Sequence, residues 1–199
     1  YDMITANERK VLRFLAASQN EDYSINEIAK KCGITPNGAY KILTKLEKEG
    51  ILKQKRIANI NSYTLNFEND KTMRVLELAF IPDKLEGTVK IRAEDLQPMK
   101  AATKACILFG SYITAKQNPG DIDIVFVLEK SKFKEFKQKL AAVQELMPVR
   151  IQDVVQTTED LQQNLKKRDK IIKEALQNGI ALWGYDVIAG IVKNASKQA

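Results

Sequence analysis

The chain of 199 residues contains no histidine and only two cysteines, Cys32 and Cys106. The lack of histidine excludes Ser–His and Cys–His nucleophile pairs, histidine general bases and histidine metal ligands. Two cysteines cannot form a zinc site without histidine. Any catalysis must therefore rest on carboxylates, hydroxyls, lysine, arginine, backbone amides and a hard metal ion.

Long apolar runs are also missing. No run approaches the roughly 20 residues that a membrane helix needs, and the chain does not start with a recognisable secretory signal. We therefore expect a soluble, cytoplasmic protein with no membrane partner. Lysine and arginine number 32 against 25 acidic residues, a net charge of +7. This basic excess favours a polyanionic partner such as nucleic acid or nucleotide phosphate.

The first 50 residues carry start and stop signals for three short helices. The pattern Thr-x-x-Glu at Thr5 and Ser-x-x-Glu at Ser24 predict capping boxes at the first two. Thr35 caps a third helix with proline in its first turn, and Gly50 ends it. The turn at residues 31–35 has the spacing of a helix-turn-helix.

A short hairpin is predicted next, from strands at residues 51–56 and 61–65. It stands where a wing belongs. The segment from Ser24 to Asn66, which begins SINEIAKKCGITPNGAYKILTKLEKEGIL, resembles the winged helix-turn-helix domains of prokaryotic regulators. The resemblance implies binding of double-stranded DNA, although such domains also serve as protein-interaction modules.

In such a domain the third helix enters the major groove with its first turns. The candidate base and phosphate contacts on that helix are Thr35, Asn37, Tyr40, Lys41 and Thr44. Phosphate contact is expected further along the helix and beside the wing, at Lys45, Lys48, Lys53, Lys55 and Arg56. The alternatives are that the cations are ordinary solvated surface charges and that Tyr40 belongs to the core.

The rest of the chain changes pattern. A connecting helix is predicted from Asn69 to Ile81, residues 83–93 give no clear pattern, and a further helix is predicted at 95–103. Buried strands, predicted at 105–109, 121–128, 149–155 and 180–183, then alternate with helices.

These patterns predict a two-domain protein of the α+β or α/β class. We expect a winged helix-turn-helix at 1–68 and a connecting segment at 69–94, which could also contribute to a homodimer. A mixed sheet flanked by helices is expected at 95–199.

The residues that carry chemistry lie at the ends of the first two of these buried strands. Asp121 and Asp123 project to one face, because alternate strand residues share a face. Adjacent carboxylates repel unless a cation lies between them, and Mg²⁺ takes oxygen ligands and substrate phosphates. Gly110 and Ser111 form a turn whose backbone amides can hold phosphate oxygens.

The run ILFGSYITAKQNPGDIDIVFVLE resembles the minimal nucleotidyltransferases of the DNA polymerase β superfamily, over roughly residues 103–185. The resemblance implies that Gly110 and Ser111 bind a nucleoside triphosphate (NTP) and that Asp121 and Asp123 bind catalytic Mg²⁺. It also implies transfer of a nucleotidyl group to an acceptor hydroxyl with release of pyrophosphate. In the loop between these motifs, Lys116 remains as the local cation for the triphosphate.

The family's third carboxylate is harder to place. It belongs at the start of the next strand, which here reads Val149-Arg150-Ile151. Asp153 lies roughly 10 Å deeper by the strand rise and has opposite parity to Arg150. Asp153 is therefore either the third catalytic carboxylate or a paired structural aspartate.

Two functions follow from these patterns. The first is a Mg²⁺-dependent nucleotidyltransferase joined to a DNA-binding domain. The second is a transcriptional regulator whose transferase-like domain binds a nucleotide, or assembles a dimer, without turnover.

Overall fold

The structure is a computed structural model that describes residues 3–57, 60–114 and 120–196. Lys116, the predicted triphosphate-binding cation, lies outside the described residues. The N-terminal part contains three helices followed by a two-stranded antiparallel hairpin. Their bounds are α1 Ala6–Ala17, α2 Ile25–Cys32, α3 Pro36–Lys48, β1 Leu52–Ile57 and β2 Ile60–Leu65.

The predicted start and stop signals are present at these helices. Capping boxes begin α1 at Thr5 and α2 at Ser24, and the Thr35 hydroxyl accepts the first-turn N–H that begins α3. The tight turn between α2 and α3 passes through Gly33 at φ +64°, a left-handed conformation that favours glycine. Local sequence chemistry thus fixes the helix-turn-helix geometry.

The remaining helices and strands build the larger C-terminal part. The helices are α4 Asp70–Phe80, α5 Gly87–Asp95, α6 Phe133–Leu146, α7 Thr158–Lys166, α8 Lys170–Asn178 and α9 Tyr185–Ser196. The strands are β3 Ala105–Phe109, β4 Asp121–Val127, β5 Arg150–Gln156 and β6 Ile180–Trp183. Short 3₁₀ helices occur at Gln97–Ala102, Gly110–Thr114 and Lys130–Lys132.

The helix predicted at 95–103 is present as a 3₁₀ helix over Gln97–Ala102. The helix α5 was not predicted, and most of it lies in the stretch 83–93, which had shown no clear pattern. Proline lacks a backbone N–H and clashes with the preceding turn of an α-helix. Pro98 is accommodated because it stands in the first turn of the 3₁₀ helix.

The four C-terminal strands form one mixed sheet in the order β5-β4-β3-β6. Strand β3 is antiparallel to both β4 and β6, whereas β4 and β5 run parallel. One sheet face packs on α6 through residues such as Ile124 and Phe136. The other face packs on α7, α8 and α9 through residues such as Phe109 and Val125.

The two parts of the chain share a hydrophobic core. Helix α1 packs against α8, and α4 packs against α9. Leu76, Ala79 and Phe80 of α4 are buried in the same cluster as the apolar faces of α1 and α8. Side chains therefore pack closely across the boundary predicted at residue 68. The division of the chain into two domains at this residue stays a prediction.

None of the described helices is long and apolar enough to cross a membrane.

Candidate functional site

An open cleft of about 700 Å³ lies where β3 ends and where β4 and β5 begin. Its lining combines backbone at Gly110 and Ser111, carboxylates at Asp123 and Glu174, and the first residues of β5. Asp121 opens β4 two residues before Asp123 on the same face. The structure thus brings the two predicted sequence motifs together at one edge of the sheet.

The cleft is negatively charged near the two aspartates. Burial raises the pKa of the Asp123 carboxyl, and the nearby charges of Asp121 and Glu174 raise it further. A raised pKa means that this site disfavours the ionised carboxylate. A bound cation would relieve that cost.

Gly110 allows the chain to pass directly beside Asp123. Its φ is +76°, and a side-chain Cβ at this position would collide with the Asp123 carboxylate. The predicted Gly-Ser turn is the start of a 3₁₀ helix that runs to Thr114. The first N–H groups of such a turn lack partners within the helix, so they can donate to phosphate oxygens.

Strand β5 places an amide, not an acid, beside the aspartate pair. In the parallel register Asp121 is opposite Arg150 and Asp123 is opposite Gln152. The Gln152 side-chain amide donates a hydrogen bond to the Asp121 carboxylate. Sequence reasoning did not single out Gln152, although its two-residue spacing from Arg150 gives it the parity that faces the pair.

Asp153 does not join the pair. It lies opposite Ile124, whose side chain packs on the α6 face of the sheet. Its Oδ2 is 2.9 Å from the Lys137 Nζ of α6, which is the kind of pairing that the structural alternative expects. Asp153 also lines the cleft, and its catalytic role stays a prediction. Over the described ranges, no three His, Cys, Asp or Glu side chains are grouped to hold a metal ion.

Two other charged residues border the cleft. Arg150 is exposed, and none of the ion pairs found in the described ranges joins it to an aspartate. The sequence did not point to Glu174, because this residue lies on α8, far along the chain from the Gly-Ser and Asp-x-Asp motifs. Ile171, one turn before Glu174, also lines the cleft and is 48% exposed. In the sequence it looks like a core residue, because it belongs to an apolar stripe.

The predicted DNA-reading surface is the outer face of α3. Ala39, Leu43 and Leu46 bury the opposite face of this helix. Tyr40 is 53% exposed and so belongs to the surface, not to the core. The other predicted contacts on this face are exposed or half-buried: Thr35, Asn37, Lys41, Thr44 and Lys48. Helix α3 therefore presents a polar, basic surface to solvent.

Two of the predicted phosphate contacts are held by acids of the protein itself. The Lys45 Nζ lies 2.7 Å from Oε1 of Glu8, a residue that is only 4% exposed. Burial raises the pKa of Glu8, but the hydrogen bonds from Lys45 and Thr5 outweigh it and leave the pKa lowered. The Lys53 Nζ lies 2.6 Å from a carboxylate oxygen of Glu68. The ion pair between Lys45 and Glu8 thus links α3 to α1, while the Lys45 side chain stays 54% exposed.

The other predicted basic contacts, on α3 and on the wing, form no ion pair with the described acidic residues. Lys55 and Arg56 are exposed on β1 of the wing. Within the described ranges no ion pair involves them, nor Lys41 or Lys48 on α3. Four unpaired cations therefore flank the surface that would face a DNA duplex.

Comparison with known proteins separates the two parts of the chain. Residues 4–53 match a family described as winged helix-turn-helix DNA-binding. Residues 84–178 match a family of unknown function (DUF6932). No curated protein and no solved structure matches the chain significantly. The chain therefore carries an N-terminal winged helix-turn-helix domain of a DNA-binding type, followed by a mixed α and β region without an assigned activity.

Proposed function

We propose that the protein is a DNA-binding regulator whose C-terminal cleft binds Mg²⁺ together with a nucleoside triphosphate and does not transfer it. The observation that carries this proposal is the register of β5. It sets Arg150 and Gln152, neither of them an acid, beside the aspartate pair, on the strand where a transferase of the resembled superfamily has its third carboxylate.

The DNA-binding half rests on the free surface of α3 and the wing. Helix α1 lies between α3 and the C-terminal part, because it packs on α2 and α3 on one side and on α8 on the other. The exposed face of α3 is therefore unobstructed by the rest of the chain. Lys41, Lys48, Lys55 and Arg56 supply unpaired positive charge for the phosphates.

The cleft suits a magnesium–triphosphate pair on three counts. Asp121 and Asp123 offer hard oxygen ligands, and Mg²⁺ is commonly held by one or two carboxylates plus substrate phosphates. The absent side chain at Gly110 lets the Gly-Ser turn pass directly beside the Asp123 carboxylate, so a phosphate held by the N–H groups of that turn would lie next to the metal ligands. The raised pKa of Asp123 reflects a site that a cation would stabilise. When bound, the metal would neutralise triphosphate charge and fix its orientation.

The absence of turnover follows from proton chemistry. Transfer to a hydroxyl needs a base that accepts the hydroxyl proton. The Gln152 amide does not accept a proton at neutral pH, and it donates its own hydrogen to Asp121. Asp153 faces α6 and is engaged by Lys137. The residues facing the aspartate pair from β5 thus bind and orient a ligand without supplying the base.

A nucleotidyltransferase is the second candidate. The observation in its favour is Glu174, a third carboxylate that borders the same cleft from α8. An acceptor bound between Glu174 and the aspartates would have a base within the cleft. This reading requires that the wild-type protein incorporates labelled nucleotide into an acceptor.

Titration calorimetry with Mg²⁺ and each of the four common NTPs tests the proposal. Asp121→Asn combined with Asp123→Asn should abolish magnesium-dependent nucleotide binding. Glu145→Gln is the matched control, because Glu145 is an exposed carboxylate of α6 that does not line the cleft, and its replacement should leave binding unchanged. Unchanged binding in the double variant would remove the site from these aspartates. Incorporation of α-labelled NTP by the wild type would favour the transferase.

A further inference from the structure

Helix α8 separates the cleft from the winged helix-turn-helix and contacts both. Ile171 and Glu174 of α8 line the cleft that contains Asp123. On its other side α8 packs against α1, which lies directly beneath α3. No other described helix combines a residue facing the aspartates with hydrogen bonds to the DNA-binding domain.

The strongest link is Arg13 of α1, which caps the C-terminal end of α8. Its Nε and Nη2 donate to the Leu176 carbonyl oxygen at 2.9 and 2.8 Å, and Nη2 also donates to the Gly179 carbonyl. The last carbonyls of a helix have no partner within it, so this guanidinium satisfies them. The Arg13 side chain also lies over the Phe80 ring of α4, 5.5 Å from its centroid.

Three further links join α8 and the residues before it to the helix-turn-helix. Lys173 forms an ion pair with Glu21 in the loop between α1 and α2. Arg168 donates to the Asn20 carbonyl at 2.9 Å, and Gln177 donates to the Lys31 carbonyl at 3.5 Å. Lys31 stands two residues before Gly33, where the chain turns towards α3. A shift of α8 would therefore move the turn that orients α3.

The opposite face of α8 carries the group that responds to the ligand. Glu174 lines the same cleft as Asp123 and adds negative charge to it, so that the charges of Glu174 and Asp121 both act against that of Asp123. Mg²⁺ and a triphosphate bound at the aspartates would change the net charge that acts on the Glu174 carboxylate. Because Glu174 is fixed to α8, we expect the preferred position of the helix to differ between the two states.

We infer that α8 couples the cleft to the DNA-binding surface, so that Mg²⁺-NTP binding changes the affinity for DNA. This inference rests on the proposed function, since it needs a ligand in the cleft and DNA on α3. Coupling of this kind is reciprocal, so DNA must change the affinity for the nucleotide by the same factor.

Fluorescence anisotropy of the full chain with a labelled duplex tests the inference, with and without Mg²⁺ and saturating NTP. We expect the DNA dissociation constant to change by at least about 5-fold, the lower end of allosteric coupling factors. The variants Lys173→Met and Gln177→Ala should bind each ligand alone as the wild type does, but should lose most of this change. Lys170→Met is the matched control, because Lys170 is an exposed lysine of the same helix.

The outcomes separate the inference from the proposed function. No magnesium-dependent NTP binding, or no DNA binding, would overturn the proposed function and the inference with it. Both ligands binding with affinities independent of each other would overturn the inference alone. Undiminished coupling in the Lys173→Met and Gln177→Ala variants would show that α8 does not carry it.

Discussion

The salt dependence of DNA binding tests which cations face the duplex. Each phosphate neutralised by lysine or arginine contributes about −0.9 to the slope of log K against log salt. Among the residues that the structure describes, four cations on this surface form no ion pair: Lys41, Lys48, Lys55 and Arg56. If all four contact phosphates, the slope is about −3.6, and affinity falls about 150-fold between 50 and 200 mM salt.

The perturbation is Lys55→Ala combined with Arg56→Ala on the wing. Two lost contacts should shrink the slope to about −1.8, so that the same change in salt lowers affinity only about 12-fold. Anisotropy titrations of the full chain at four or more salt concentrations, with one duplex sequence, measure this slope.

Lys53→Ala provides the matched control on the same strand. The Lys53 ammonium is paired with Glu68, so the pair carries no net charge and displaces few counterions. Its removal should change the slope by well under 0.9. The reasoning is refuted if Lys53→Ala flattens the slope as much as a single wing substitution does, or if the double wing variant leaves it unchanged.

Three other substitutions test the cleft and the core of the DNA-binding domain. Asp123→Asn should raise the melting temperature at pH 7, because the raised pKa of Asp123 makes its ionisation destabilise the folded state there. This gain should shrink as pH falls through the raised pKa and vanish below the ordinary pKa of the carboxyl; a variant that melts as the wild type does both at pH 7 and at acid pH would contradict this. Gln152→Asp should create labelled-NTP incorporation that the wild type lacks, because it sets a base on the face of the aspartate pair; an inactive variant that still binds Mg²⁺-NTP would count against the register argument. Glu8→Gln should lower the free energy of unfolding by about 1–3 kcal/mol in urea titrations, because the Lys45 ammonium loses its charged partner. The wild type should lose that stability as pH falls through the lowered pKa of Glu8.

The sequence predicts those features that depend on neighbours close along the chain. Capping boxes, the turn through Gly33, the hairpin and the shared face of Asp121 and Asp123 all follow from contacts within a few residues. The start of the third strand of the sheet at Arg150 was also within one residue of its predicted place. These predictions needed no knowledge of the packing.

The features that the sequence did not reveal depend on distant partners. Glu8 and Lys45 are 37 positions apart, so the ion pair between them has no local signal in the sequence. Glu174 reaches the cleft only because α8 packs across β3. The register of β5 made Gln152 the neighbour of the aspartates, and a register between strands depends on the packing of both faces.

From the shared core of α1, α4, α8 and α9 we expect the protein to unfold as one unit. A chain cut after residue 68 would keep the helix-turn-helix sequence but expose the apolar face of α1 and leave Arg13 without its carbonyl acceptors. Calorimetry should therefore show a single unfolding transition in place of two. For the same reason the DNA-binding segment is not a module that can be exchanged freely between proteins, and truncated fragments are poor reporters of what the whole chain binds.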